Sequence, residues 1–376
     1  MIKYILTHPI QYQSPLIKFL NKKININVAY RSNISLTKFY DKDFNKKIML
    51  KNNLLNGYKY VFLKYLGSNR VTNYKPFTTE FIRNIFLNNS KIIWLHGITI
   101  WYNLIVIFLA KLFKKKVFVR CEINHLNNKN LIKLYFKKIF YKFIDNFIDC
   151  YLSIGSENKK AYIEYGINPK KIFSVPYVVD NSFFFIKKKK KQKKLKILFA
   201  GKLIYRKGCD ILLRSIYLLN KNPKFKNFTE IIIVGDGILK NSLINFTTEN
   251  NLNNVKFVGF KDQNKIKNYY KQSNLFVIPS REENWGLTIN EAMAAKNAII
   301  SSNNVCSSKD LVKNNYNGYV FKSGDHKDLS KKILKIFNNK SLLYKFSNNS
   351  AKIISKWSFN QCYEGLIKAA DFVLKK

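Results

Sequence analysis

The chain is long, strongly basic and moderately apolar, and these properties limit the classes of protein to which it can belong. It has 376 residues, of which 47% are hydrophobic, and 67 Lys and Arg against 22 Asp and Glu give a formal net charge of +45. This length suits two domains rather than one core, and the apolar fraction excludes a disordered chain. The charge favours a polyanion or an anionic membrane surface as a partner, although compositional drift contributes to it.

Cysteine usage and apolar stretches indicate a reducing compartment and no membrane span. The five cysteines form no CxxC pair and are expected to be free thiols. The N-terminal sequence MIKYILTHPI is typical of a first strand rather than of a signal peptide. The longest apolar stretch, residues 98–110, is too short to cross a bilayer. We therefore expect a cytoplasmic protein.

Short apolar runs alternate with helix-length segments, and this pattern occurs twice along the chain. The predicted strands are 2–6, 91–95, 116–120 and 150–155 in the first half, and 196–201, 230–235, 255–260, 274–279 and 298–302 in the second. Nearly continuous apolar strands separated by helices predict parallel sheets that are covered on both faces. The basic run KKKKKQKK lies between the two sets and is too charged to pack, so it predicts an interdomain linker.

The predicted fold is therefore α/β, with two doubly wound Rossmann-like domains facing a cleft at the carboxyl ends of their strands. The boundaries are 1–186 for the N-terminal domain, 187–195 for the linker, 196–357 for the C-terminal domain and 358–376 for a last helix.

A basic loop follows the first strand of the second domain. Lys202, Arg206 and Lys207 lie between Gly201, which ends that strand, and Gly208, which precedes a helix. Cations and backbone N–H groups converge at such a helix N-terminus, so the loop is suited to bind phosphates. Solvated loop lysines are the alternative in so basic a chain.

The stretch SREENWGLTINEAMAAKN, residues 280–297, sets two of the scarce carboxylates eight positions apart. Glu283 is predicted in a loop, and Glu291 in the helix that begins at Gly286 and Leu287. The glycine permits close approach of a ligand, and the N–H groups after it can receive a phosphate. Paired carboxylates can accept hydrogen bonds from vicinal hydroxyls, whereas a solvated helix surface is the ordinary role of a Glu.

These motifs resemble the retaining GT-B glycosyltransferases of family 4, also called group 1. Residues 280–297 resemble the family's E-x7-E signature, and GKLIYRKGCDILL resembles its Gly-Arg-Leu, Lys-Gly and Leu-Leu element. VGDG, VKFVGF and NGYVF follow in the family's order. The resemblance covers roughly residues 196–340 and is specific because five motifs agree in order and spacing.

The resemblance implies a nucleotide-diphosphate sugar as donor, bound by the C-terminal domain. Glu291 would accept hydrogen bonds from the nucleotide ribose, and Glu283 from the donor sugar. The other donor-binding residues would be Gly286, Leu287, Gly201 and Arg206. The N-terminal domain would bind the acceptor, and the last helix would cross back to it.

The resemblance also implies that Lys202 and Lys207 neutralise the diphosphate, and together with Glu283 they form the predicted catalytic set. The family usually has Arg where this chain has Lys202, so the charge is kept but the bidentate fork is lost. No general base stands out, which fits the family's usual proposal that the leaving phosphate takes the acceptor proton.

The first domain resembles the family more loosely and supplies candidates for acceptor or cleft residues. They are His8, Gln11, His96, Arg120 and Glu122. The first two lie in THPIQYQSPL, which resembles the N-terminal element of one branch, and the others end predicted strands. Many relatives carry a His that contacts the donor sugar in the region of Arg120, but we do not assign that role to His125. For His8 and Gln11, a purely structural role in the loop is the alternative.

Asp41 and Asp43 form a DxD, which in GT-A enzymes holds a divalent metal. Here the pair lies in a polar loop that we expect to be far from the donor motifs, so we predict no metal site. No cofactor is expected either, because the nucleotide sugar is a substrate.

Residues 131–144, LIKLYFKKIFYKFI, form a predicted helix dense in aromatics and lysines. Lysines beside exposed aromatics suit an anionic bilayer surface, whereas a packed core helix with snorkelling lysines is the alternative. Periodicity does not separate the two.

The sequence thus predicts a retaining, metal-independent glycosyltransferase of the hexosyltransferase type. It would use a glycan or lipid-linked acceptor in cell-envelope polysaccharide synthesis, peripheral to the inner face of the cytoplasmic membrane. One alternative is a non-catalytic binder of polyanions such as nucleic acid. That alternative lacks a recognisable nucleic-acid module and leaves the motifs unexplained, so no nucleic-acid partner is expected. A GT-B phosphorylase or epimerase is a further alternative.

Overall fold

The structure of the protein is a computed structural model. It describes residues 1–37, 39–41, 46–48, 53–63, 79–98, 101–127, 130–187, 189 and 193–375. The chain divides into two compact units. One contains Met1–Phe39, Ile48–Val178 and Phe359–Lys376, and the other contains Tyr40–Lys47 and Val179–Ser358.

Strands and helices alternate along most of the chain before the basic run, but the three strands between residues 39 and 62 have no α-helix between them among the described residues. The strands are β1 Ile2–Leu6, β2 Ile26–Tyr30, β3 Phe39–Asp41, β4 Lys46–Ile48, β5 Lys59–Phe62, β6 Ile92–His96, β7 Lys116–Arg120, β8 Cys150–Ser153 and β9 Ile172–Ser174. The helices are α1 Gln13–Asn21, α2 Thr79–Ile85, α3 Trp101–Leu112, α4 Leu131–Ile144, α5 Ser156–Glu164 and α6 Asn181–Phe184.

The first unit is built on a seven-stranded parallel sheet in the order β5-β2-β1-β6-β7-β8-β9. Ile2 of β1 lies opposite Ile26 and Ile92 on its two neighbours. Because these strands are buried on both faces, their sequences are apolar almost throughout. Side chains such as Val117 and Val119 pack against Tyr162 of α5 in the core.

The elements after the basic run form the second unit, apart from the last helix. The strands are β10 Leu195–Ala200, β11 Thr229–Val234, β12 Val255–Gly259, β13 Leu275–Ile278, β14 Ala298–Ser302 and β15 Gly318–Phe321. The helices are α7 Cys209–Leu219, α8 Pro223–Phe228, α9 Lys240–Glu249, α10 Gln263–Gln272, α11 Leu287–Ala294, α12 Cys306–Leu311, α13 His326–Phe337, α14 Lys340–Ser355 and α15 Phe359–Leu374.

The second unit has a six-stranded parallel sheet in the order β12-β11-β10-β13-β14-β15. Ile197 of β10 lies opposite Ile231 of β11 and Leu275 of β13. Several helices begin at a side-chain cap: Asp262 accepts from the Lys265 N–H at the start of α10. Two parallel sheets, each covered by helices, confirm the predicted fold class.

Helix α15 belongs to the first unit, although it follows the second along the chain. It packs on β9 and α1, and the ring of Phe372 lies 5.4 Å from that of Phe173. The five cysteines are thiols that form no disulfide, as predicted, and all five are buried. Within the described part of the chain, no helix combines the length and apolar character that a membrane span requires.

Part of the basic run packs, contrary to the expectation that it is too charged to do so. Lys189 donates to the carbonyl oxygen of Tyr270 at 2.9 Å and to Asn297 Oδ1 at 3.1 Å. It also donates to the Ser273 carbonyl at the end of α10. A lysine is tolerated there because oxygen acceptors surround its ammonium group.

Candidate functional site

The second sheet reverses its strand order between β10 and β13, and a cavity of about 310 Å³ lies at this point. Its walls come from the carboxyl ends of β10, β11 and β13 and from the first turn of α11. Ligands of open α/β sheets bind at such reversals because the loops diverge there and leave space. Gly201 and Leu287, two of the residues proposed from the sequence to bind the donor, line this cavity.

Two glycines allow the loops around the cavity to adopt left-handed backbone conformations and to pack closely. Gly208 has a φ of +68° and begins α7, and a Cβ there would lie 2.2 Å from the carbonyl oxygen of Pro279. Gly286 has a φ of +91° and begins α11, with Val305 and Glu283 close to the position of a Cβ. Both positions require a residue without a side chain, because left-handed backbone and close packing coincide.

Glu283 lies between two cations of the basic loop. Its Oε2 accepts from Lys207 Nζ in a short ion pair, and its Oε1 is 4.0 Å from Arg206 Nη1. Glu283 is 12% exposed, so this pairing is poorly screened by water. The structure therefore brings Glu283 to two predicted site residues, Arg206 and Lys207, of which Lys207 lies 76 positions earlier in the sequence.

Lys202 also lines the cavity, and its ammonium group pairs with Asp41. The distance from Nζ to each carboxylate oxygen is 3.1 Å. The expectation that Asp41 lies far from the donor motifs is therefore wrong: the chain brings β3 to a loop that is 161 positions away. Asp43 lies outside the described residues.

Arg281, which was not among the residues predicted from the sequence, supports the loops beside the cavity without lining it. Its guanidinium donates to both carboxylate oxygens of Asp210, at 2.8 and 2.6 Å, and lies 3.8 Å from the ring centroid of Tyr205. Its backbone N–H donates to the carbonyl of Arg206. Together, the bidentate ion pair with Asp210 and the contacts with Tyr205 and Arg206 connect the basic loop to the loop of Glu283. The sequence feature that could have indicated this role is an Arg directly before Glu282 and Glu283, in a chain whose basic residues are mostly Lys.

Glu291 lies one turn beyond the cavity-lining start of α11 and is held by Tyr270 of α10. The hydroxyl of Tyr270 donates to Glu291 Oε2 at 2.7 Å. Burial raises the pKa of Glu291 to about 7, although the hydrogen bond from Tyr270 opposes this shift. Tyr270 is fully buried, so it holds the carboxylate in one orientation.

In the first unit, His96 and Glu122 meet at Tyr177. The Tyr177 hydroxyl lies 3.0 Å from His96 Nε2 and donates to Glu122 Oε1 at 2.5 Å. Tyr12 donates to the same oxygen at 3.4 Å. Burial raises the pKa of Glu122, but the nearby His96 imidazole and the hydrogen bond from Tyr177 outweigh it and lower that pKa to about 2. The cluster therefore contains a carboxylate that stays ionised.

Arg120 lies on the buried side of the cluster formed by His96, Tyr177 and Glu122. It is fully buried and donates to the carbonyl oxygens of Val175 and Pro176, each at 3.0 Å. Its guanidinium lies 4.4 Å from the ring centroid of Tyr177. Arg120 thus supports the cluster from within the unit, which differs from the expectation that it faces the cleft.

The remaining N-terminal candidates are separate from this hydrogen-bond network. His8 is half-buried beside Thr7, whose Oγ1 lies 3.1 Å from its Nδ1, and burial lowers its pKa. Gln11 is half-buried three residues further on. His125 Nδ1 lies 3.0 Å from Glu164. In the residues that the structure describes, no three His, Cys, Asp or Glu side chains gather as metal ligands do.

The second unit contains the part of the chain that matches a known protein family. Residues 180–353 match the family model described as glycosyl transferases group 1. This segment is therefore similar to the group 1 glycosyltransferases over a little under half of the chain. The cavity, the basic loop and both glutamates of the E-x7-E stretch lie within the matched segment.

Two curated relatives show how far this likeness extends. An uncharacterized glycosyltransferase of Methanocaldococcus jannaschii is 30% identical over 174 residues, which are 46% of this chain and 47% of the relative. UDP-Gal:α-D-GlcNAc-diphosphoundecaprenol α-1,3-galactosyltransferase of Escherichia coli is 28% identical over 235 residues, which are 58% of this chain and 60% of the relative. The chain thus spans about half of the length of these relatives, or a little more.

Among solved structures, Anabaena HepE in complex with UDP and glucose matches nearly the whole chain. The TM-score is 0.73 at 12% identity, over 98% of this chain and 99% of that one. Identity this low shows the fold alone. The chain therefore has the GT-B fold, as predicted.

Proposed function

We propose that the chain is a retaining glycosyltransferase of the hexosyltransferase type. It moves a sugar from a nucleotide-diphosphate donor to a glycan or lipid-linked acceptor in cell-envelope polysaccharide synthesis. The observation that carries this proposal is the cavity at the β10–β13 reversal. Lys202, Lys207 and Glu283 line it, and the helix of Glu291 begins there. A non-catalytic binder of polyanions would have no use for these carboxylates.

The donor fits this cavity through three kinds of group. The carboxylate of Glu291 accepts hydrogen bonds from the ribose hydroxyls, and Glu283 accepts them from the donor sugar. The diphosphate takes the cations of the basic loop, displacing Asp41 from Lys202 and sharing Lys207 with Glu283. Arg206 adds a third cation at the same wall. Because these cations supply the positive charge, the reaction needs no divalent metal.

The chemical step requires charge stabilisation at the leaving phosphate. The bond from the anomeric carbon to the phosphate oxygen breaks, and a bond to the acceptor oxygen forms on the same face of the sugar. The acceptor proton passes to the phosphate oxygen. Lys202 and Lys207 stabilise the negative charge that develops there.

The acceptor is assigned to the first unit. The hydrogen-bonded cluster of His96, Tyr177 and Glu122 offers a carboxylate and an imidazole to acceptor hydroxyls. The name of the Escherichia coli relative includes a diphosphoundecaprenol acceptor, which supports a lipid-linked sugar here. Such an acceptor implies a cytoplasmic enzyme that works at the inner face of the membrane.

The donor assignment is tested by calorimetric titration of a panel of nucleoside diphosphates. Glu291→Ala removes the acceptor of the ribose hydroxyls, and charged hydrogen bonds contribute roughly 1.5–3 kcal/mol, so affinity should fall about 10- to 100-fold. Glu249→Ala, at an exposed position of the same unit, is the control and should change nothing. Unchanged binding by the Glu291 variant would contradict the assignment.

A further inference from the structure

Helix α4 of the first unit has apolar side chains on two faces, and its own unit covers one of them. Tyr141 and Ile144 are buried, and Leu134 and Phe140 pack partly against the core. The opposite face carries large apolar side chains that remain exposed. They are Leu131 (79% exposed), Ile132 (71%), Tyr135 (63%), Phe136 (65%), Ile139 (50%) and Phe143 (56%).

These six side chains form one stripe. At about 100° per residue they fall within an arc of about 140°, and they span the length of the helix. Single exposed apolar residues are ordinary on a protein surface, but a contiguous stripe of large ones indicates an interaction site. Helix α4 thus packs on the core with one face and presents another outward.

Exposed lysines border the stripe. Lys138 lies just outside one edge, Lys142 lies just inside that edge, and Lys133 lies beyond the other edge; all three are exposed. Lys137 differs because its ammonium group donates to the Tyr165 hydroxyl at 3.2 Å. An apolar face bordered by lysines is the pattern of helices that lie in the plane of an anionic membrane interface.

We propose that the exposed face of α4 docks the protein on an anionic lipid bilayer. The apolar stripe enters the boundary between headgroups and acyl chains, and the three bordering lysines contact lipid phosphates. A second copy of the chain is the weaker candidate, because pairing α4 with itself would bring the lysines of two chains of charge +45 together. This inference does not depend on the donor site, since vesicle binding is measured without turnover.

The test is co-sedimentation of the full chain with vesicles of phosphatidylglycerol and phosphatidylcholine, at low and high salt. We expect binding at low salt, weaker binding at high salt, and little binding to phosphatidylcholine alone. Ile132→Ser, Phe136→Ser and Ile139→Ser together should abolish it. Lys133→Gln, Lys138→Gln and Lys142→Gln together should weaken it about 100-fold, at about fivefold for each lysine.

A matched control removes the same charge elsewhere. Lys327, Lys331 and Lys335 are exposed on α13, which has no exposed large apolar side chain among its described residues. Changing these three to Gln should alter vesicle binding by less than about threefold. Nucleoside diphosphate affinity should be unchanged in every variant, which shows that the second unit remains folded.

Three outcomes would overturn the proposal. The first is wild-type protein that ignores anionic vesicles at low salt. The second is an α13 variant that loses as much binding as the α4 lysine variant, which would make the effect one of net charge. The third is that the wild type forms a concentration-dependent dimer and does not bind vesicles, and that changing Ile132, Phe136 and Ile139 to Ser dissociates this dimer.

Discussion

At the scale of single residues, Glu291 has the most informative environment in the candidate donor site. Burial holds its pKa at about 7, well above the usual value for Glu of about 4.3. Its ionisation therefore changes near neutral pH, where an exposed carboxylate would already be fully charged. A ligand that needs the ionised form would bind with a pH dependence set by this residue.

Nucleoside diphosphate binding should accordingly strengthen from pH 6 to pH 8. Ionised Glu291 is the minor form at pH 6 and the major form at pH 8, which corresponds to about a tenfold change in its population. Calorimetry of Glu291→Gln is the comparison, because the nucleotide phosphate itself also titrates in this range. The proposed role fails if the Gln variant has the same pH profile as the wild type.

Tyr270 is expected to act on the nucleotide through Glu291, as a positioning residue. Its hydrogen bond lowers the pKa of the carboxyl, so Tyr270→Phe should move the midpoint of the binding profile to higher pH. Affinity should fall at pH 7 and recover at higher pH. A loss of binding that is equal at every pH would indicate disturbed packing instead.

Lys207 is expected to act at the phosphates. Lys207→Ala should lower turnover of the nucleotide sugar and weaken nucleoside diphosphate binding about tenfold, while binding of the plain nucleoside is unchanged. Lys224→Ala, at an exposed lysine of the same unit, is the control. Equal losses for nucleoside and nucleoside diphosphate would place Lys207 away from the phosphates.

At the scale of elements, the donor site depends on two loops that are locked to each other. Arg281 bridges to Asp210 and to the carbonyl of Tyr205, and Gly208 packs against the backbone of Pro279. The basic loop and the loop of Glu283 therefore move together or not at all. Such support from neighbouring groups is what keeps binding side chains in position.

Gly208→Ala should separate these loops. A Cβ would meet backbone 2.2 Å away, in addition to the strain of a positive φ, so we expect a loss of stability of roughly 2–4 kcal/mol and much weaker nucleotide binding. Gly166→Ala is the matched control, because its φ is +91° but nothing lies within 4 Å. Thermal unfolding and calorimetry measure both effects. Similar behaviour of the two variants would show that the loop contact is unimportant.

At the scale of the whole molecule, the charge balance bears on the question of a metal. Acidic residues are scarce, and in the described part of the second unit Asp41 and Glu283 each pair with a cation of the basic loop. A divalent cation at the diphosphate would have to compete with these lysines. The arrangement favours a reaction in which the protein's own cations neutralise the donor.

Glycosyl transfer should therefore persist in excess EDTA. The reason is that Lys202, Arg206 and Lys207 already supply positive charge at the cavity wall. The measurement is turnover of the cognate nucleotide sugar before and after chelation. A collapse that Mn²⁺ restores would instead assign Asp41 and Asp43 as metal ligands.

The sequence by itself determined the two parallel sheets, the position of the basic loop and the placement of Glu283 before α11. These features follow from local patterns, because apolar runs, glycines and charges act on the chain within a few residues. Short strands such as β5 and β9 gave weaker patterns and were not predicted, and β2 was not predicted either. The tertiary structure decided which groups these side chains contact. Lys202 pairs with Asp41, Glu291 accepts a hydrogen bond from Tyr270, and Arg120 donates to buried carbonyl oxygens. The tertiary structure also decided which face of α4 is exposed. Periodicity shows that a side chain lies on a face of its helix, but burial depends on what the rest of the chain packs against that face.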